Sequence, residues 1–142
     1  MAKINWGRVV LGGILFTVVF NVLWDSAWLL FLRSEWTSVF AALGRPLPET
    51  LGGLLASWLL LTFVVGIFAI WLYAAIRPRY GPGPKTAAYA GFALGLVWVL
   101  LPDLWGARLL RLPPGLVASS VVARLVATVV ATVLGAWPYK EE

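Results

Sequence analysis

The stretch LVASSVVARLVATVVATVLGAW, residues 116–137, carries a single charge, Arg124, in an otherwise apolar run. At 1.5 Å per residue it is long enough, as a helix, to cross a hydrocarbon core of roughly 30 Å. Four of its polar residues fall at four-residue intervals: Ser120, Arg124, Thr128 and Thr132. That spacing puts all four on one stripe of a helix, so the arginine is held at membrane depth facing something other than lipid. A second ladder of the same spacing, Thr17, Asn21 and Asp25, lies in the first apolar run, and Asp25 is the acid within such a run.

Working outward, three more stretches have the length and hydropathy of membrane spans. The four are read as 9–32, 51–76, 86–105 and 116–137. With 61% hydrophobic residues, 12% charged residues and a mean hydropathy of +0.90, the 142-residue chain has too little polar surface to clothe a soluble globule. The expected fold is an all-α integral membrane protein, a single domain of four transmembrane helices with short interfacial helices on the outer side. The first span is expected to be retained rather than cleaved, since Asn21, Trp24 and Asp25 stand where a small-residue cleavage site would follow an apolar core.

Cysteine and histidine are both absent. Thiol chemistry, cysteine-built metal sites, histidine-ligated haem and histidine general bases are therefore beyond this chain alone. No catalytic residue, metal site or nucleic-acid partner is expected, and no cofactor beyond a bound lipid or pigment.

Orientation follows from the basic residues. Lys3, Arg8, Arg77, Arg79, Lys85 and Lys140 fall on one side of the four spans; Arg33, Arg45, Arg108 and Arg111 fall on the other. The excess places both termini in the cytoplasm. Of the nine tryptophans, Trp6, Trp71 and Trp137 then lie near the inner interface and Trp28, Trp36 and Trp105 near the outer, where an amphipathic indole is best accommodated. Trp24, Trp58 and Trp98 lie deeper. The main reading of the set is an interface belt with core packing; the competing one is a pigment or quinone pocket lined by the deeper three.

The outer connections read as ordered. From Ser34 to Gly44, Trp36, Val39, Phe40 and Leu43 share one helical face between a capping residue and a terminal glycine, the pattern of a short helix lying on the membrane surface. Asp103 to Leu112 repeats the pattern more weakly, ended by Pro113 and Pro114. Each half of the chain is thus span, surface helix, span, which admits a two-fold internal repeat.

Small residues mark the expected helix contacts. Ser119, Ala123, Ala127, Ala131 and Gly135 form a stripe in the fourth span, and Ala87, Gly91 and Gly95 one in the third. Val121, Val122, Leu125, Val129 and Val133 are expected to face lipid. The two polar ladders are expected to meet as a seam between spans one and four, with Asp25 and Arg124 interacting. Two readings of that seam stay open: an ion pair that fixes the register of the bundle, and a polar cavity that binds a substrate, a proton or a lipid headgroup.

The basic turn RPRYGPGPKT, residues 77–86, is not a phosphate-binding loop, because Pro82 and Pro84 remove the backbone N–H groups such a loop offers. Arg77, Arg79 and Lys85 suit anionic headgroups or an acidic partner surface instead. Together with Trp71 through Thr86 (WLYAAIRPRYGPGPKT), the segments Asn5-Trp-Gly-Arg8 and Trp137-Pro-Tyr-Lys140 make the chain resemble a group of uncharacterised small four-span bacterial inner-membrane proteins. The resemblance implies four helices in a bacterial inner membrane and brings no activity and no site residues. Two functions are expected from the sequence. One is a non-catalytic accessory subunit of a larger membrane complex, with lipids and other membrane subunits as partners. The other is a small dimeric transporter or ligand-binding protein that uses the seam as its site.

Overall fold

In the computed structural model, which describes residues 4–45 and 52–140, the chain is helical throughout and no strand forms among the described residues. Four helices are long and apolar enough to cross a bilayer, the pattern of a multi-pass membrane protein: α1 (Trp6–Ala42), α2 (Gly52–Tyr80), α3 (Pro84–Leu110) and α4 (Pro114–Ala136). The expected start of the second span at Leu51 lies outside the described residues, as does Lys3.

Helix α1 opens at Asn5, whose side chain accepts the Arg8 N–H at 3.1 Å and so satisfies one of the donors left free in a first turn. It then runs past the expected boundary at Leu32. The separate surface helix expected from Ser34 does not form; residues 33–42 continue the same helix through a π-helical turn, Trp28–Leu32. A capping residue ends a helix only where the backbone leaves helical angles, and here Leu32 and Arg33 both stay helical. The expected glycine terminator does act: Gly44 sits at φ 69° and the Arg45 N–H returns to the Phe40 carbonyl at 3.0 Å. With 37 residues, α1 is roughly 55 Å long, well beyond a bilayer core of roughly 30 Å.

Helix α3 is built the same way, with a π turn at Leu96–Leu100 joining 84–95 to 101–110. Here the cause is local. Pro102 has no N–H, and its ring would collide with the carbonyl four residues back, at Trp98; a widened turn relieves both. Each half of the chain is thus a long helix with a five-residue π turn followed by an uninterrupted helix, the element order of the internal repeat.

Packing follows the halves. Helix α1 lies on α2, α3 lies on α4, and the halves join where α1 meets α4, with a lesser contact of α2 on α3. In lipid, helix contact depends on close van der Waals packing rather than on water exclusion, and small residues permit it. A methyl group on Gly135 would come within 2.7 Å of the Gly12 carbonyl, and one on Gly91 within 3.0 Å of the Val129 Cα. The α1–α4 and α3–α4 contacts are therefore backbone to backbone. The stripe expected on α4 is buried only from Ala127 through Ala131 to Gly135, while Ser119 is exposed. Because α4 has neighbours on two sides, its outward strip is narrow: Val122, Val126, Val130 and Leu134. The expected lipid face is corrected accordingly, since Val121 is buried with Val99 and Val117, and Leu125 packs against Gly95.

The turn between α2 and α3 is held tightly. Gly81 and Gly83 take positive φ angles of 83° and 132° that disfavour a side chain, and Pro84 opens α3 at the position proline tolerates best. The Gly83 N–H donates to the Tyr73 hydroxyl at 3.3 Å and the Thr86 hydroxyl to the Tyr80 carbonyl at 3.3 Å.

Candidate ligand-binding site

Of the two ladders, α1's turns toward α2 and not toward α4. Asn21, buried, donates to the Thr17 carbonyl at 2.8 Å and to the Thr62 hydroxyl at 3.1 Å, and accepts the indole N–H of Trp58 at 2.9 Å. Thr17 bonds the Gly13 carbonyl at 2.8 Å. On α4, Thr128 and Thr132 are fully buried and spend their hydroxyls on carbonyls of their own helix, those of Arg124 at 2.8 Å and Thr128 at 2.7 Å. Thr132 lies against Gly91 of α3. Asn21, Ser120, Thr128 and Thr132 are buried and Thr17 and Arg124 half-buried, whereas Asp25 is exposed, and the ladders do not join into one seam.

Arg124 makes the decisive choice. Its guanidinium pairs with Asp103 of α3, so the expected partnership with Asp25 is not made. The reason is positional. Counted from the α3–α4 turn near Leu112, Asp103 lies roughly 14 Å up α3 and Arg124 roughly 18 Å up α4, so the hairpin alone brings them to one level. The π turn at Leu96–Leu100 then sets the face on which Asp103 emerges, since one extra residue rotates the remainder of the helix by about 100°. Hairpin counting was the signal available in the sequence, but reading Asp103 as the start of a surface helix concealed it. Thr62 and Trp28 were missed as well, one a lone threonine and the other assigned to the interface.

The guanidinium of Arg124 also lies over the ring of Trp24, 5.3 Å from its centre, a favourable place for a cation. Beside it, Ser120 accepts the Trp36 indole N–H at 3.0 Å, tying the extension of α1 to α4. That bond depends on the π turn in α1. In a regular helix Trp36 would be rotated about 80° from Trp28; the wider turn takes that rotation back and lines up Trp24, Trp28, Trp36 and Phe40 in a row with ring centres 5.5–6.3 Å apart.

Around Arg124 the bundle opens in two places. One cavity, about 250 Å³, is bounded by Trp36, Phe40, Asp103, Ser120 and Arg124 with neighbouring residues of α3. The other, about 380 Å³, is lined by Trp24, Asp25, Trp28, Leu54, Leu55, Trp58 and Arg124. Asp25 faces this second cavity and has no hydrogen-bonding or ionic partner among the described residues. Of the three deeper tryptophans, Trp24 and Trp58 line it, while Trp98 packs into a cluster with Phe20 and Trp58 at 6.0 and 6.1 Å.

At the other end of the bundle, the basic turn closes a cavity of about 480 Å³ bounded by Tyr73, Arg77, Pro82, Val133, Trp137 and Tyr139, among others. Arg77 is half-buried with its guanidinium 5.6 Å from the Tyr139 ring centre. Lys85 lies 5.9 Å from that of Tyr89, and Arg79 is exposed. Arg79 and Lys85 therefore face outward, whereas Arg77 braces the turn.

Chemically, the 380 Å³ cavity combines indole surface, two leucines and an uncommitted carboxylate, beside an arginine already paired and stacked. It lies within the usual size range of small-molecule sites. Compared with protein-family models, with curated proteins and with solved structures, the chain finds no match in any of the three, and the reading of its function rests on this geometry.

Proposed function

We propose that this chain is a non-catalytic, ligand-binding protein of the bacterial inner membrane, with both termini in the cytoplasm and the Asp25–Arg124 end of the bundle toward the outside. The basic residues of the α2–α3 turn and of the N-terminal segment favour that orientation. The far ends of α1 and α3 then emerge at the outer surface, carrying Trp36 and Trp105 at the interface. The observation that carries the reading is the 380 Å³ cavity in which three indoles, an unpartnered aspartate and Arg124 meet. Ionisable groups at membrane depth are costly, and one with no structural partner is best explained by use. Native mass spectrometry of the protein gently extracted from its own membrane tests this. A free monomer or dimer carrying a small amphiphile is the expected result; release only as a stoichiometric part of a larger assembly, with nothing bound, overturns it.

A second reading, an accessory subunit of a larger membrane complex, is favoured by the ridge Leu29, Leu30 and Phe31, exposed by 61–74% at the π turn of α1. On that reading the ridge is a protein contact, and the same experiment identifies its partner.

A further inference from the structure

The charges around the 380 Å³ cavity are unequal in what they have left to give. Arg124 is committed twice, by its ion pair with Asp103 and by its seat over Trp24. Asp25 is committed to nothing among the described residues. The free charge that the cavity offers a ligand is thus a single negative one. An anion entering here would meet Asp25 as a like charge and would have to draw Arg124 away from Asp103. A cation meets neither penalty.

The aromatic lining points the same way. Trp58 is fixed in place, its N–H given to Asn21 and its ring held against Phe20 and Trp98, so it enters the cavity as a rigid apolar wall. Trp28 is stacked on Trp36 and tilted at 48° to Trp24. Indole ring faces set beside a carboxylate, one of them from a tryptophan whose N–H is already spent, recognise weakly hydrated cations through cation–π attraction and charge together. Leu54 and Leu55, both exposed at the cavity's edge, continue the lining into the lipid-facing surface of α2, where an apolar tail would lie.

Building on the ligand-binding reading above, we infer that the occupant is a lipophilic cation, an organic ammonium or phosphonium carried on apolar groups. Asp25 is its counter-ion, and Trp28 and Trp58 are its aromatic walls. Arg124, neutralised by Asp103, forms the polar floor without opposing it.

The test uses two probes of matched shape and opposite charge, tetraphenylphosphonium and tetraphenylborate. Each is titrated calorimetrically into the full chain in a neutral maltoside detergent, with the detergent alone as the blank. The expected result is saturable phosphonium binding and only detergent-like partitioning of the borate. Asp25→Asn should weaken the phosphonium on the order of tenfold or more, Asp25→Glu should retain it within a few-fold, and Trp28→Leu should weaken it several-fold. Because Asp25 is exposed and has no partner among the described residues, its variants leave the fold intact, which circular dichroism verifies. Phosphonium binding that ignores Asp25→Asn overturns the assignment of the counter-ion. Saturable borate binding in place of the phosphonium overturns the cation while leaving a ligand site, and saturable binding of neither removes the site itself.

Discussion

Asp25 and Asp103 are both aspartates at the level of Arg124, yet they have opposite fates, and this is where the structure is most open to test. Asp103→Asn takes the counter-charge from a mostly enclosed guanidinium whose Nε already lacks a partner among the described residues. The cost should be roughly 2 kcal/mol, below that of a fully buried pair because both side chains keep some exposure. Asp25→Asn should change stability by less than about 0.5 kcal/mol. Thermal unfolding in detergent, followed by circular dichroism, ranks the two; equal losses would mean that Arg124 shares itself between both acids. The double exchange Asp103→Arg with Arg124→Asp should recover part of the loss. Asn21 gives a second contrast at this scale. Asn21→Leu strands the Trp58 N–H and takes a donor from the Thr62 hydroxyl, which keeps its own bond to the Leu59 carbonyl, at a cost of about 2 kcal/mol. Thr17→Val removes a hydroxyl that served only its own helix, at less than about 1 kcal/mol. Polar spacing in the sequence identified Asn21, Ser120, Thr128 and Thr132 as buried, but not their partners. A threonine bonded to the carbonyl four residues back needs no neighbour, so three of the ladder positions carry no information about which helix they face.

At the scale of elements, the spans were legible because hydropathy is a property of long windows, and the surface helices were misread because a π turn leaves no mark on hydropathy. Residues 33–42 are polar enough to look like a separate helix and continuous enough to be the same one. The single extra residue in Trp28–Leu32 is what aligns Trp36 with Ser120. Deleting Leu30 should restore a regular helix and swing Trp36 away by about 100°. In a chain with no cysteine of its own, Trp36→Cys with Ser120→Cys provides the readout, because a short bismaleimide should join the two sites in the full-length protein and fail after the deletion. Unchanged cross-linking would show that the turn is not what positions the extension of α1. Close approach of backbones makes a separate prediction. Gly135→Val forces α4 off Gly12 and should cost about 1–3 kcal/mol, whereas Gly115→Ala, with open space around it, should be neutral in the same unfolding assay.

For the whole molecule the question is which end faces which compartment, since the cavity has a use only relative to its source of ligand. The two ends differ chemically. Arg79 and Lys85 stand exposed at the α2–α3 turn, with the N-terminal segment and the C-terminal residues Trp137 to Lys140 at the same end. The opposite end carries the π-turned extensions, the aromatic row and the Asp25 cavity. Basic residues on short connections are retained on the cytoplasmic side because moving them across is opposed during insertion, and the turn holds its positives with no acid among residues 77–86. Single cysteines introduced at Gly81 and at Gly106 decide the matter, for both sites have room for a side-chain atom, although Gly81 bears the strain of its positive φ. In intact cells a membrane-impermeant maleimide should label the Gly106 site and spare the Gly81 site until the membrane is opened. The reverse pattern would turn the cavity toward the cytoplasm, so that any lipophilic cation it holds would be drawn from inside the cell. Labelling of both sites in intact cells would mean that the bundle is inserted both ways, leaving half the cavities on each face. In a chain whose basic residues divide six to four outside the spans, it would make an antiparallel pair the natural assembly to look for.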